Sequence, residues 1–322
     1  MRAALDQFIQ ALPDTLVSGL ATGMMYALIA LGYTLVYGIL ELINFAHGDV
    51  FMLGGLFSWG VVEHFFGGTL GNTYGVLSGG GLAVALVLAL ASSMSICSVI
   101  GFCIERFAYR PLRNAPRVAP LVTAIGVSFI IENGVLTWQN ASGNTEITYP
   151  SLFVQSTWTF LGIHLQVKEV VVFVSAPLLM IGLILLVQRT RIGKAMRATA
   201  QDPDAARMMG IDINRVISIT FIIGSALAGA AGVIYCVYYN YVNYDMGFLA
   251  GLKAFTAAVL GGIGNIRGAM LGGILVGEVE AVINSTGGVG TQWAESAVFL
   301  VLMLVLIFRP TGLLGAQVVE KA

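Results

Sequence analysis

The 322-residue sequence predicts an all-α, polytopic integral membrane protein, and three observations carry that prediction. Hydrophobic residues make up 57% and charged residues 10%, with a mean hydropathy of +0.86, which leaves too little polar surface to coat a soluble fold of this length. The charges gather in short islands between long apolar runs, as loops between membrane spans require. Forty glycines would weaken soluble helices, but small residues let membrane helices approach closely. A net charge of −1 argues against a nucleic-acid partner, and Cys97, Cys103 and Cys236, all in apolar runs, read as reduced core residues.

Met1 to Asp14 lacks the basic start, short apolar core and cleavage site of a removable signal peptide, so the first span, about Thr15 to Leu40, is expected to target the chain. Gly19 and Gly23 offer it a face for close packing. Glu41 to Gly55, ELINFAHGDVFMLGG, then sets Asn44, His47 and Asp49 in apolar sequence beside Gly48, Gly54 and Gly55. Two readings stand. One is a discontinuous helix lining a translocation path, since polar groups at membrane depth are costly unless they face water or protein; the other is a short cytoplasmic turn between spans with His47 solvated or hydrogen-bonded.

The second span ends near Phe66, and Gly67 to Gly81 is an uncharged loop suited to export. The third, about Leu82 to Ile104, runs into Glu105 to Arg117, where Arg106, Arg110, Arg113 and Arg117 make a basic cytoplasmic loop. The fourth, about Ala119 to Trp138, contains Glu132 and Asn133, read either as interfacial groups near the outer helix end or as groups facing a path. Gln139 to Lys168 holds a single basic residue and belongs outside; its TWTFLGIHLQVKE stretch fits a small hairpin or an interfacial helix.

The fifth and sixth spans, about Val170 to Gln188 and Val216 to Val237, flank the most polar stretch, Gln188 to Ser218, whose basic excess marks the inner face. There Asp202 as N-cap, Pro203 at the first helical position, Asp204 in the first turn and Gly210 as terminator predict a helix of about seven residues, too short to hold alone in water. Met208 and Met209 offer adaptable apolar contact to a partner; a loop helix packed on its own protein is the competing reading. Tyr235, Tyr238, Tyr239, Tyr241 and Tyr244 cluster around an outer loop and read as an interfacial belt or as a contact for a docking protein. Gly247 to Ile283 is two glycine-rich segments broken at Gly261 to Gly268, with Arg267 marking the break as cytoplasmic and Gly264, Gly268 and Gly272 forming a bare stripe. A last span, about Trp293 to Phe308, brings the total to about nine, N-terminus outside and C-terminus inside, with the first turn and Gly247 to Ile283 as candidates for re-entrant half-helices.

Chemical motifs point away from an enzyme. The sequence has no G-x-x-x-x-G-K-[ST], H-E-x-x-H, C-x-x-C or G-x-S-x-G, and its three histidines are scattered, so transport is the favoured class.

Asp204-Ala205-Ala206-x-x-x-Gly210 resembles the Glu-Ala-Ala-x-x-x-Gly signature by which permease subunits of bacterial ABC importers contact their ATPases, with Asp in place of Glu. Taken with YALIALGYTLVYGILELINFAHGDVFMLGG at Tyr26 to Gly55, KAFTAAVLGGIGNIRGAMLGGILVG at Lys253 to Gly277 and RPTGLLG at Arg309 to Gly315, nearly the whole chain resembles the branched-chain amino-acid permease family, LivH type. The resemblance implies a vitamin-B12-importer-like, type II ABC permease fold: one transmembrane domain over 1–322, with a cytoplasmic coupling loop at 189–215 and an external loop at 139–168. It implies a place in the bacterial cytoplasmic membrane beside a LivM-type permease, two cytosolic ATP-binding subunits that hold ATP and Mg, and a periplasmic or extracellular substrate-binding protein. This chain itself would bind no cofactor. Asp204, Ala205, Ala206 and Gly210 fall on the coupling motif, with Met208 and Met209 beside it, and Asn44, Phe45, Ala46, His47 and Gly48 on the stretch near the substrate path, joined there by Glu132 and Asn133. The expected cargo is a branched-chain or other neutral, hydrophobic amino acid. An importer of urea or short amides and an ion-coupled secondary transporter are the alternatives.

Overall fold

The computed structural model describes residues 2–70, 80–113, 115–116, 118–143, 147–153, 156–160, 163–287 and 289–315. Among these residues the chain forms eleven α-helices: α1 (Arg2–Leu40), α2 (His47–Leu70), α3 (Gly80–Cys103), α4 (Val118–Ala141), α5 (Val167–Arg189), α6 (Arg191–Gln201), α7 (Pro203–Met208), α8 (Ile213–Tyr239), α9 (Met246–Gly261), α10 (Ile266–Ser285) and α11 (Val289–Phe308). The expected loop between the second and third spans falls largely on 71–79, and Arg117 of the second basic loop is a single position, both outside the described residues.

Among the described residues six helices are long and apolar enough to cross a membrane: Gln10–Leu40, Gly80–Leu112, Val118–Ala141, Val167–Arg189, Ile213–Tyr239 and Gly290–Phe308. Three more, α2, α9 and α10, lie where the sequence places further spans. Of these α9 has 16 residues and so is only about 24 Å long, while α2 carries Asp49 and Glu63 and α10 carries Arg267, Glu278 and Glu280.

The windows of α1 and α8 are 72% and 78% buried, against 11 to 28% for α3, α4, α5 and α11, so the core is an inner bundle with an outer ring of oily helices. Glycine sets how tightly that bundle closes. A Cβ at Gly277 of α10 would lie 2.6 Å from the Gly19 carbonyl and still closer to the Gly23 backbone of α1. Gly19 and Gly23 thus make the close-packing face the sequence predicts. The bare stripe is shorter than expected: Gly268 and Gly272 pack on Gly261 and Ala257 of α9, whereas Gly264 sits in the preceding turn at φ +89. Gly277→Ala is expected to destabilise the detergent-solubilised protein by about 1–3 kcal/mol, because only backbone surrounds the added methyl; a lowered thermal midpoint checks it.

The Arg309–Gly315 tail folds back on the α9–α10 turn. Leu313 and Leu314 donate backbone N–H bonds to the Leu260 and Gly261 carbonyls (2.9 and 3.0 Å), and Asn265 Nδ2 donates to the Leu314 carbonyl (2.7 Å). Two stretches far apart in sequence are one packed unit.

At the opposite end the 139–168 connection is clamped to the bundle. Strand β1 (Ile147–Thr148) pairs antiparallel with β4 (Tyr241–Val242), Ile147 opposite Val242, and Tyr149 N donates to the Asn240 carbonyl. The undecided TWTFLGIHLQ stretch is a hairpin, β2 (Thr157–Phe160) against β3 (Ile163–Gln166), with its turn at 161–162 outside the described residues. His164 ties it to α1 by donating its backbone N–H to Asp14 Oδ1 at 2.8 Å, and a Gln166–Glu169 capping box starts α5. The tyrosines differ in exposure: Tyr239 and Tyr241 are exposed, Tyr235 and Tyr244 are half-buried, and Tyr238 is buried. Tyr235 and Tyr241 share a hydroxyl hydrogen bond, Tyr239 bonds Thr22, and Tyr238 is buried under Lys168.

Candidate functional site

Helix α1 stops at Leu40, Glu41 takes a left-handed φ of +52, and residues 41–46 double back before α2 begins at His47. The His47 ring packs edge-on to Tyr33 with centroids 4.7 Å apart and lies over Gly32, eight residues before the end of α1. At 1.5 Å per residue, α2 therefore starts about 12 Å inside the bundle, level with neither end. Asn44 is 2% exposed, and His47 and Asp49 are 1% exposed, so His47 is not solvated, and the break between α1 and α2 lies within the protein. Ser128 of α4 donates to Asp49, and the Tyr109 hydroxyl donates to Asn44 Oδ1 at 3.1 Å and to the Ile43 carbonyl at 3.3 Å.

The same device occurs a second time. Helix α8 stops at Tyr239, Asn240 takes φ +59, and residues 241–245 lead to α9 at Met246. Asn243-Tyr244-Asp245-Met246-Gly247 repeats the Asn-aromatic-x-x-Gly of Asn44-Phe45-Ala46-His47-Gly48, and the backbone repeats with it. His47 N donates to the Asn44 carbonyl and Met246 N to the Asn243 carbonyl; Val50 N bonds Ala46 O and Leu249 N bonds Asp245 O. The two broken helices cross antiparallel at their first turns. Gly247 lies against Gly48, Asp49 and Met52, and Gly251 against Gly48 and Tyr33. Two positive helix ends meet there, beside Asp49 in the first turn of α2 and Asp245, the residue that precedes α9.

Beside this crossing lies a cavity of about 140 Å³, lined by Tyr33, Phe45, Ser128, Phe129, Gly247 and Phe255 among others, and mainly apolar. Of the path candidates, Asn44 to Gly48 are gathered here. Glu132 is half-buried on α4, one turn from Ser128 and within electrostatic reach of Asp49, whereas Asn133 is exposed and bonds only back to the Phe129 carbonyl of its own helix.

The coupling candidates form a separate projection at the basic end. Asp202 accepts from the N–H groups of Asp204 and Ala205, both at 3.0 Å, and Pro203 takes the first helical position. Gly210 at φ +82 closes α7, its N–H bonding the Arg207 carbonyl while Ile211 N bonds Ala206 O, the paired bonds of a Schellman motif. Ala206 is 4% exposed and faces the protein, while Met208 and Met209 are 82% and 83% exposed. Helix α6, not foreseen as a separate element, carries α7 and buries Gly193, Met196 and Thr199.

Sequence reasoning missed three features of these sites. The Asn243–Gly247 repeat was legible as a motif but masked by the tyrosines around it. Lys253 drew no role from its sequence context; its Nζ lies 2.8 Å from Glu280 Oε1 and 3.4 Å from Glu295 Oε1, and Tyr26 donates to Glu280 Oε2. Such a pair in an apolar bundle is tolerated because each charge is matched. Glu105, expected at the start of a basic loop, is fully buried.

Comparison with known proteins adds an independent line. Residues 15–307 match the family described as branched-chain amino acid transport system / permease component. The chain is 44% identical over 307 residues to the high-affinity branched-chain amino acid transport system permease protein BraD of Pseudomonas aeruginosa, covering 95% of this chain and 96% of that one. It is 40% identical to LivH of Salmonella typhimurium and 39% identical to LivH of Escherichia coli K12, each over 322 residues, 98% of this chain and 99% of the relative. No solved structure matches the chain.

Proposed function

This chain belongs to the family of branched-chain amino acid transport permease components, and from that premise we propose that it is the membrane-spanning permease subunit of an ABC importer for branched-chain amino acids. The observation that carries the proposal is full-length similarity to relatives named for that transport, together with a helical body of long apolar spans. None of those names supports the urea or amide alternative.

The finer reading is a nine-span, type II permease forming a single domain in a bacterial inner membrane, with loop 189–215 inside and loop 139–168 outside. Its partners are a LivM-type permease, two cytosolic ATPases that hold ATP and Mg, and a substrate-binding protein outside. Helix α7, ending in two exposed methionines, is the dock for an ATPase, and the crossing of α2 and α9 with its apolar cavity belongs to the path. Broken helices suit that role, because only backbone that lines a cavity or is buried in protein can leave helical pairing at membrane depth. A permease fed by a binding protein has no need to hold its cargo tightly, and an apolar lining with few polar groups meets that demand.

Purified chain, second permease, ATPases and binding protein reconstituted in liposomes are expected to accumulate leucine only with ATP, and the chain alone to accumulate none under any ion gradient. Gradient-driven uptake by the chain alone would replace this reading with a secondary transporter.

A further inference from the structure

The dock and the crossing lie on different parts of the chain, and one segment bonds both to α8, the helix that follows the dock, and to the return that leads into α2. After α3 the chain leaves α-helical pairing for a π-helical segment, Ile104–Tyr109, in which Arg110 N donates to the Glu105 carbonyl, succeeded by a 3-10 turn at Arg110–Leu112. Such wide turns are rare and concentrate where helices serve a function.

The first end of this segment is fixed to α8. Glu105, fully buried, accepts from Ser218 Oγ at 2.7 Å and pairs with Arg113, whose other guanidinium nitrogen donates to Asn214 Oδ1. Burial pushes the Arg113 guanidinium below its ordinary pKa, while Glu105 and Asp212 favour its charged form. Asn214 and Ser218 lie in the first two turns of α8, whose cap, Asp212, is four residues beyond α7. That short connection is itself tied down, since Ile211 N bonds Ala206 O within the cap of α7. The segment's other end is fixed to the start of the broken helix: Tyr109, 2% exposed, donates to Asn44 and Ile43 and packs on Phe221 with centroids 5.2 Å apart.

We propose that Ile104–Tyr109 is the element that passes displacement of α7 to the start of α2, with Glu105 and Tyr109 as its positioning residues. The proposal rests on the reading of α7 as the ATPase dock. A push on α7 moves the first turns of α8 directly, because the link between them is short and bonded. Asn214 and Ser218 carry that movement to the buried Glu105–Arg113 pair, which holds the start of the π segment. A π turn holds one residue more than an α turn, so its relaxation to α-helical pairing rotates the chain beyond it by about 100°. Tyr109 then leaves Asn44, and the return that seats His47 and Gly48 is released. The π-helical arrangement and an α-helical one would be the two discrete states that transmission between separated sites requires.

The test uses the complete reconstituted complex, with leucine uptake and ATP hydrolysis measured in the same vesicles. Tyr109→Phe removes one hydroxyl and keeps the ring on Phe221. It is expected to lower leucine moved per ATP hydrolysed by about fivefold or more, the lower end of ordinary coupling energies, with the ATPases still bound and hydrolysis continuing. Asn44→Ala is expected to lower the ratio less when added to Tyr109→Phe than when made alone, because Tyr109→Phe has already removed the Tyr109–Asn44 bond. Phe107→Ala, at a residue in the same segment that is 75% exposed, is expected to leave the ratio unchanged. An unchanged ratio in Tyr109→Phe, a parallel fall in uptake and hydrolysis, or loss of the ATPases from the complex would each overturn the proposal. Failure of the dock itself reads out separately, as ATPases that remain bound when Met208 and Met209 are replaced.

Discussion

Gly48→Ala is expected to cut uptake tenfold or more while the protein still inserts, whereas Gly60→Ala in the same helix leaves uptake unchanged. The contrast comes from the surroundings each added methyl would meet. At Gly48 it would lie 3.0 Å from Gly251 Cα and 3.2 Å from the Gly247 carbonyl carbon, and closer still to the Gly247 oxygen, whereas at Gly60 nothing lies within 4 Å. All the obstacles at Gly48 are backbone, so no side chain can rotate away and the two helix starts must separate. Overpacking of this kind costs about 1–3 kcal/mol, and here the strain falls on the crossing itself. Gly247→Ala is expected to act in the same direction, since its methyl would meet the Gly48 oxygen at 2.7 Å and Met52 Cβ at 2.9 Å. Uptake into vesicles, normalised to inserted protein by immunoblot, checks all three; wild-type transport by Gly48→Ala would remove the crossing from the transport path.

How far these features could be read in advance depended on the range of the interactions that make them. Helix α7 was legible residue by residue, because a cap, a proline and a terminal glycine act within a few positions of one another. The polar run Asn44–Asp49 was legible as an anomaly, since polar groups in apolar sequence demand partners. The partners were not. Tyr109 is 65 positions from Asn44 and Ser128 is 79 from Asp49, and no local signal joins them. The π segment left no mark in the sequence, since its wider turn is tied to a buried bond between Glu105 and a helix more than a hundred residues away. The hairpin at Thr157–Gln166 stayed undecided because alternating apolar residues suit an interfacial helix and a strand pair alike, and only docking on Asp14 and α5 settles it. The tyrosines were legible in part for a related reason: aromatics at a helix end read as headgroup anchors, and Tyr239 and Tyr241 are exposed there, but the hydroxyl bonds to Thr22 and between Tyr235 and Tyr241 carry no local signal.

Replacing Met208 and Met209 together with Asp is expected to release the ATPase subunits from the purified complex while leaving the permease folded and inserted. The two side chains contribute little to the chain's own packing, being 82% and 83% exposed, and surface changes of that kind ordinarily shift stability by less than about 0.5 kcal/mol. What holds α7 in place is elsewhere: the Asp202 cap at its start, the Gly210 turn at its end, and buried Ala206 facing the protein. Covering a methionine with a partner surface contributes about 1.5–3 kcal/mol, so losing two and placing carboxylates against an apolar socket removes enough for a hundredfold or greater loss of affinity. Ala206→Glu should also abolish uptake, but by a different route, since a buried carboxylate would lift α7 from its seat; the methionine pair therefore isolates docking from folding. Co-purification of the ATPases with each variant, beside thermal melting of the permease, separates the two. Full ATPase retention by the doubly substituted chain would mean that the protruding end of α7 is not where the motor grips.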